Sequence, residues 1–209
     1  HFYFNLKNIF FFLVANNRNK YDKNISIKNI EFQNIITNLH QQNTIGLHAS
    51  FSSNNNLSIL KKEIDFLQNL IQQPITANRQ HYLILSFPNT YRSLIKYDIT
   101  DDYTMGYVSQ SGFRAGTCNS FYFFDLQNNK ATSLKIHPLI LMENGLREIK
   151  DTNKIIKYVE LLIDEIYNLN GECITLFHNS SFNEYADNNW KQIYEHILDY
   201  INNKINSLK

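Results

Sequence analysis

The run Thr44-Ile45-Gly46-Leu47-His48-Ala49-Ser50 decides how the rest of the chain is read. Thr44 to Leu47 has the length and apolar character of a short β-strand. His48 stands where that strand ends, ahead of a polar loop from Ser50 to Asn56 and then a helix. In α/β proteins the carboxyl ends of the strands carry ligand-binding and catalytic groups. Two further histidines share this address: His81 follows a strand expected over Ile75 to Asn78, and His178 ends a strand expected over Cys173 to Phe177. One histidine in such a position is commonly a structural or merely polar loop residue. Three at three strand ends can converge on one point, as a metal or hydrolytic centre requires.

Outward from that run, Phe10-Phe11-Phe12-Leu13-Val14 is a continuous apolar stretch, the pattern of a strand covered on both faces in a parallel sheet. Ser26 is placed to cap a helix over about Ile27 to His40, with Ile27, Ile30, Phe32, Ile35, Ile36 and Leu39 turned inward. A second helix carries Leu57, Leu60, Ile64, Leu67 and Ile71 and is closed by Pro74; a third runs from about Pro88 to Tyr97. Between Thr100 and Met142 the pattern changes. Tyr103 to Tyr107, Phe121 to Leu126 and Leu134 to Leu141 read as strands, the last two as a hairpin or an insertion. A long helix over about Asp151 to Asn170 stops at Gly171, and a final one, about Asn188 to Ser207, packs through Trp190, Tyr194, Ile197, Ile201 and Ile205.

Strand alternating with helix is the signature of parallel βαβ units. The fold class is therefore α/β, as a barrel or a doubly wound sheet, and one domain is the economical reading. The four strands at Ile9 to Val14, Thr44 to Leu47, Ile75 to Asn78 and Cys173 to Phe177 are expected to lie parallel in one curved sheet.

Composition narrows the partners. The chain has 209 residues, 43% apolar and 19% charged, with 20 Lys and Arg against 19 acidic residues. This near balance gives no electrostatic footprint for nucleic acid or an anionic membrane. Cys118 and Cys173 form no C-x-x-C pair and are expected as free thiols. Ile9 to Ala15 is far shorter than the roughly twenty residues of a membrane helix, so a buried strand is expected there and not membrane insertion. No charged-then-apolar leader is seen, but the sequence begins at His1 without a methionine, so this carries no weight. Cytoplasmic and cell-envelope locations are not separated.

No phosphate-cradling G-x-x-x-x-G-K, G-x-G-x-x-G, G-x-S-x-G or H-E-x-x-H is present. What the chain does carry is Gly46-Leu47-His48-Ala49-Ser50, Asn78-Arg79-Gln80-His81-Tyr82, Gly112-Phe113-Arg114-Ala115-Gly116-Thr117 and Ile174-Thr175-Leu176-Phe177-His178-Asn179. In this order these stretches resemble the polysaccharide deacetylase (NodB-homology) family, closest to a divergent bacterial branch. The likeness covers nearly the whole chain from Ile9.

The resemblance implies a distorted (β/α) barrel and a hydrolase that uses a divalent metal ion, zinc for preference, to remove acetyl groups from N-acetylated sugars. It implies that His48 is a metal ligand; Ser52 occupies the place of the family's second histidine. His81 stands where the family's Arg-x-Pro-Tyr run has proline, and is expected to supply the lost imidazole to the metal. Arg79 would orient a carboxylate, Tyr82 would offer its backbone N–H to the oxyanion, and His178, in Leu-x-His, would be the proton donor. The family's aspartate pair lies in a motif before its Phe-rich strand, which this chain does not contain, so an incomplete barrel is expected. Asp22, Asp101 and Asp102 are the nearest carboxylates, each with an ordinary reading as loop residue, cap or arginine partner. Arg114 and Asp102 are candidates for orienting the substrate or site, although a turn-stabilising bond explains Arg114 equally well. Trp190 and Phe113 can be sugar-stacking or core residues. His137, beside Pro138, and His40 and His196 read as structural or exposed.

Two other functions stay open at this point: a catalytically degenerate, carbohydrate-binding or scaffold relative, favoured by Ser52, and an unrelated α/β binding module with incidental histidines.

Overall fold

Each strand end that carries a candidate histidine is set by how its strand pairs. In the computed structural model, which describes residues 6–183 and 189–206, the strands numbered in chain order are β1 (Ile9–Phe12), β2 (Thr44–Ala49), β3 (Ala77–Gln80), β4 (Asp101–Asp102), β5 (Phe121–Asp125), β6 (Lys130–Ile136), β7 (Leu141–Met142) and β8 (Thr175–Leu176). The helices are α1 (Ile30–His40), α2 (Leu57–Ile71), α3 (Asn89–Lys96), α4 (Thr152–Asn168) and α5 (Trp190–Asn206). The expected outer limits of the last helix, Asn188 and Ser207, lie outside the described residues. The chain forms two compact units: Lys7–Met105 with Ser120–His137, and Gly106–Asn119 with the described chain from Pro138 onward.

The first unit holds a six-stranded sheet in the order β1-β2-β3-β4-β6-β5. Its first five strands run parallel, with α1, α2 and α3 in the crossovers from β1 to β4, and β5 returns antiparallel against β6 as the expected hairpin. Alternation along β2 sorts its side chains. Ile45, Leu47 and Ala49 are buried on one face, where Phe12 of β1 meets Phe32 of α1 edge-on at 5.9 Å. Gly46 and His48 take the other face. Phe11 pairs with Gly46 there, and a Cβ on Gly46 would sit 2.6 Å from the Phe11 ring, so only hydrogen fits. Glycine thus lets the Phe11 ring pack against the strand two residues before His48.

Several boundaries differ from the sequence expectation, each for a physical reason. β2 continues to Ala49, so His48 lies within the strand, level with Arg79. β3 is the polar run Ala77-Asn78-Arg79-Gln80, not Ile75 to Asn78. Asn78 Nδ2 donates to Asp102, the Gln80 N–H donates to the Thr104 hydroxyl, and the Arg79 guanidinium lies over the Phe11 ring. α1 begins at Ile30 because Asn29, not Ser26, caps it by accepting the Phe32 N–H. Ile30 and Ile35 face solvent at 63% and 50% exposure, leaving Phe32 and Ile36 as its buried residues. No strand forms over Tyr103 to Tyr107; the strand lies just before it, at Asp101–Asp102, and the Asp102 carboxylate takes the Thr104 N–H out of the ladder. The strand expected over Leu134 to Leu141 splits at Pro138, which has no N–H to donate.

The largest correction concerns β8. It does not join the strands of His48 and His81 but pairs parallel with β7 in a separate two-stranded sheet of the second unit. The six-stranded sheet is open, ending at β1 and β5 among the described residues, so the architecture seen is a mixed α/β sheet and not a closed barrel. In the second unit α4 and α5 bury Ile155, Val159, Ile163, Trp190, Ile193 and Ile197 around Leu141 and Leu146. Trp190 is therefore a core residue, and Phe113 packs on the smaller cluster of Cys118, Ile140 and Ile166.

Candidate active site

The first unit brings two of the expected histidines together. His48, on β2, and His81, in the turn immediately after β3, have ring centroids 4.9 Å apart and nearly perpendicular planes. Adjacent parallel strands that end at the same level place them there. Each ring is oriented through Nδ1: His48 by the Arg79 carbonyl at 2.8 Å, His81 by the Asp22 carboxylate at 3.1 Å. A donated Nδ1–H leaves the lone pair on Nε2, and such outer partners fix the tautomer of ligating or proton-accepting histidines.

Asp22 is the organiser of this site. It lies in the polar loop after β1, fully buried, and accepts from the Phe51 N–H at 2.8 Å, the Ser52 N–H at 3.2 Å, the Ser52 hydroxyl at 2.7 Å and Asn19 Nδ2 at 2.9 Å. Burial alone would raise its carboxyl pKa, but the bonds from Ser52, Phe51, Asn19 and His81 outweigh it and hold the group below its ordinary value. Ser52 thus serves the carboxylate of Asp22. Behind it Glu63, on the inner face of α2, accepts the Ser50 N–H, and burial pushes its carboxyl up.

The remaining expected residues fall as follows. Arg79 is buried with its guanidinium over the Phe11 ring at 5.2 Å, and its carbonyl holds His48. Tyr82 adopts φ 58°, a left-handed conformation that costs a residue with a side chain roughly 1 kcal/mol or more, and its ring lies 4.3 Å from that of His81. Strain of this kind gathers at functional turns. Asp102 is fully buried and binds Asn78 and Thr104, and burial pushes its carboxyl up to about 6. It lies level with Asn78, on the face opposite His48 and Arg79. Its part is to tie β3 to β4. On the His48 side, His137 stacks on Tyr103 at 4.4 Å and bonds Asp101 at 2.8 Å.

His178 and Arg114 belong to the second unit. Arg114 Nη1 donates to the Gly106 carbonyl, the turn-stabilising role. His178 Nδ1 meets Glu143 Oε1 at 2.5 Å, and the same oxygen accepts the His178 N–H at 3.0 Å and the Ser181 hydroxyl at 2.9 Å. Burial would raise the Glu143 carboxyl, but the bonds and charge of His178 together with Ser181 lower it below its ordinary value. A buried carboxylate that fixes a partly exposed imidazole is the arrangement of a positioned acid or base. Sequence reading passed over Glu143. The available signal was its place directly after β7, the parallel neighbour of the strand that leads to His178.

A divalent ion was expected on His48 and His81. Two imidazoles suit zinc in donor type. A protein site for zinc needs three or four ligands, and among the described residues no group of three or more His, Cys, Asp or Glu is placed to hold an ion. The described residues do not fit a complete metal site.

No protein-family model matches the chain, and no curated protein matches it in sequence. Solved structures resemble it in fold, two of which follow. A Mycobacterium smegmatis protein described as a candidate polysaccharide deacetylase aligns over 95% of this chain with a TM-score of 0.64 and 13% identity. The allantoinase Puue aligns over 86% of the chain with a TM-score of 0.52 and 12% identity. The chain spans 65% and 57% of the lengths of these two proteins. At such identities the likeness is one of fold.

Proposed function

We propose that the chain is the hydrolytic part of a carbohydrate deacetylase, cleaving the acetamide of N-acetylated sugars, and that its fold is a variant of the deacetylase (β/α) barrel. The observation that carries this reading is the His48 and His81 pair, 4.9 Å apart at the ends of adjacent parallel strands, each with Nδ1 tied to a protein acceptor. Amide hydrolysis needs a group that takes a proton from water, a donor to the developing oxyanion and an acid for the leaving amine. In this reading an imidazole of the pair faces the attacking water and the backbone N–H of Tyr82 serves the oxyanion; the acid role of His178 stays the expectation from the sequence, supported by its bond to Glu143.

The test is acetate release from N-acetylated oligosaccharides by the full protein, with and without added zinc. His48→Ala, His81→Ala and His178→Ala should each lower turnover by about 10²-fold or more. Unchanged turnover in all three would overturn the reading. A second reading, a carbohydrate-binding relative without catalysis, is favoured by the missing third metal ligand among the described residues. It predicts oligosaccharide binding with no acetate released.

A further inference from the structure

Beside the histidine pair, Tyr21 and Phe51 stack on each other at 4.1 Å and 22°, and the Tyr82 ring stands edge-on to both, at 6.1 Å and 6.2 Å. All three rings are exposed, Tyr82 by 49%. Large aromatics normally seek burial, and a contiguous exposed group of them marks a recognition surface. This group is held in place by the site itself. The Phe51 N–H is bonded to Asp22, Tyr21 is tied to Asn19 through its N–H, and Tyr82 is fixed in its left-handed turn against His81. Tyr21 and Phe51 line a hollow together with Asn19, Lys20, Ser52 and Asn55.

We propose that this hollow is a sugar-binding subsite next to the histidine pair, in which one pyranose ring of an oligosaccharide stacks on the Phe51 ring, which Tyr21 backs from its other face. The proposal rests on the carbohydrate reading above and adds to it the residues that recognise the chain of sugars. A pyranose has an apolar face of C–H bonds and a rim of hydroxyls. It therefore needs a flat apolar platform edged by side-chain donors and acceptors. Phe51 provides the platform, backed by Tyr21 stacked on it at 4.1 Å, and Asn55 and Asn19 line the same hollow. An apolar ligand would leave those polar groups facing nothing. An anion would find one ammonium, already placed over the Tyr21 ring at 4.7 Å.

The experiment uses the full protein and the N-acetylglucosamine tetramer as probe, with titration calorimetry for binding and acetate release for KM and kcat. Phe51→Ala should weaken tetramer binding and raise KM about tenfold, with kcat changed less than KM, and be rescued by Phe51→Trp. Asn55→Ala, at an exposed position, should weaken binding severalfold. Tetramer binding unaffected by both substitutions, or no tetramer binding by the unaltered protein, overturns the proposal. Failure of the two readings is distinguishable. Phe51-dependent binding without acetate release removes the hydrolase and keeps the subsite, whereas acetate release indifferent to Phe51 and Asn55 removes the subsite and keeps the hydrolase.

Discussion

The Asp22 carboxylate reaches the His81 imidazole at 3.1 Å across a separation of 59 residues in sequence. One buried carboxylate thereby joins the loop after β1, the loop after β2 and the turn after β3. Asp22→Ala removes the acceptor for two backbone N–H groups and should lower stability by about 2–4 kcal/mol. The sign of the pH dependence follows from the lowered pKa. The folded state favours the ionised form, so the contribution is present above the ordinary aspartate value near 4 and is lost as pH falls through the folded value. Urea unfolding of the unaltered protein and of Asp22→Asn at pH 7, 5 and 3 should show the difference between them shrinking only at the lowest pH.

Glu143 holds His178 through both its ring and its backbone N–H. Glu143→Gln keeps an acceptor but removes the charge, and should reduce acetate release by about tenfold or more while the thermal midpoint moves little. Glu143→Ala strands the His178 N–H and the Ser181 hydroxyl and should cost about 2–3 kcal/mol in addition. Equal activity of Glu143→Gln and the unaltered protein would remove Glu143 from the assignment.

Asp102 behaves in the opposite sense to Asp22. Its carboxyl is pushed up to about 6 in the fold, against an unfolded value near 4. The folded state therefore binds more protons between those values, and stability falls as pH rises from about 4 to about 6, by on the order of 3 kcal/mol. Asp102→Asn should flatten this part of the stability curve in urea titrations. A retained slope would assign it to another group.

Much of the architecture was legible because burial leaves a period in the sequence. Phe10 to Val14 and Ile45 to Leu47 announce two covered strands, and the inward spacing of Leu60, Ile64, Leu67 and Ile71 announces a helix. The reading failed where polar groups are buried. Arg79 and Gln80 complete β3 yet fell beyond the strand expected to end at Asn78, and Glu63 lies among the apolar residues on the buried stripe of α2. The site divides in the same way. His48 and His81 were visible from their strand addresses. Asp22 lies in a loop with no periodicity, and its importance comes from contacts 29 and 59 residues away, which no local pattern carries.

Gly46 offers a test of the packing beside His48. In Gly46→Ala the added Cβ would lie 2.6 Å from the Phe11 ring and 3.2 Å from the Ala77 carbonyl. The ring has to leave the strand surface, at a cost of about 1–3 kcal/mol. Because Phe11 also carries the Arg79 guanidinium, whose residue's carbonyl orients His48, activity should fall further than stability alone explains. Acetate release measured well below the thermal midpoint separates the two effects.

The alternation along β2 has a consequence for how this stretch tolerates change. Ile45, Leu47 and Ala49 are held to apolar volume, whereas Gly46 and His48 are held to absence of bulk and to an imidazole. A saturation library across Thr44–Ala49, selected for folding alone, would let position 48 drift while keeping 45, 47 and 49 within a narrow set of hydrophobes. Selected for activity, the same library would narrow at 48 as well. Two kinds of selection are thus interleaved with a period of two residues in six positions of backbone, and comparing the two libraries would read them apart.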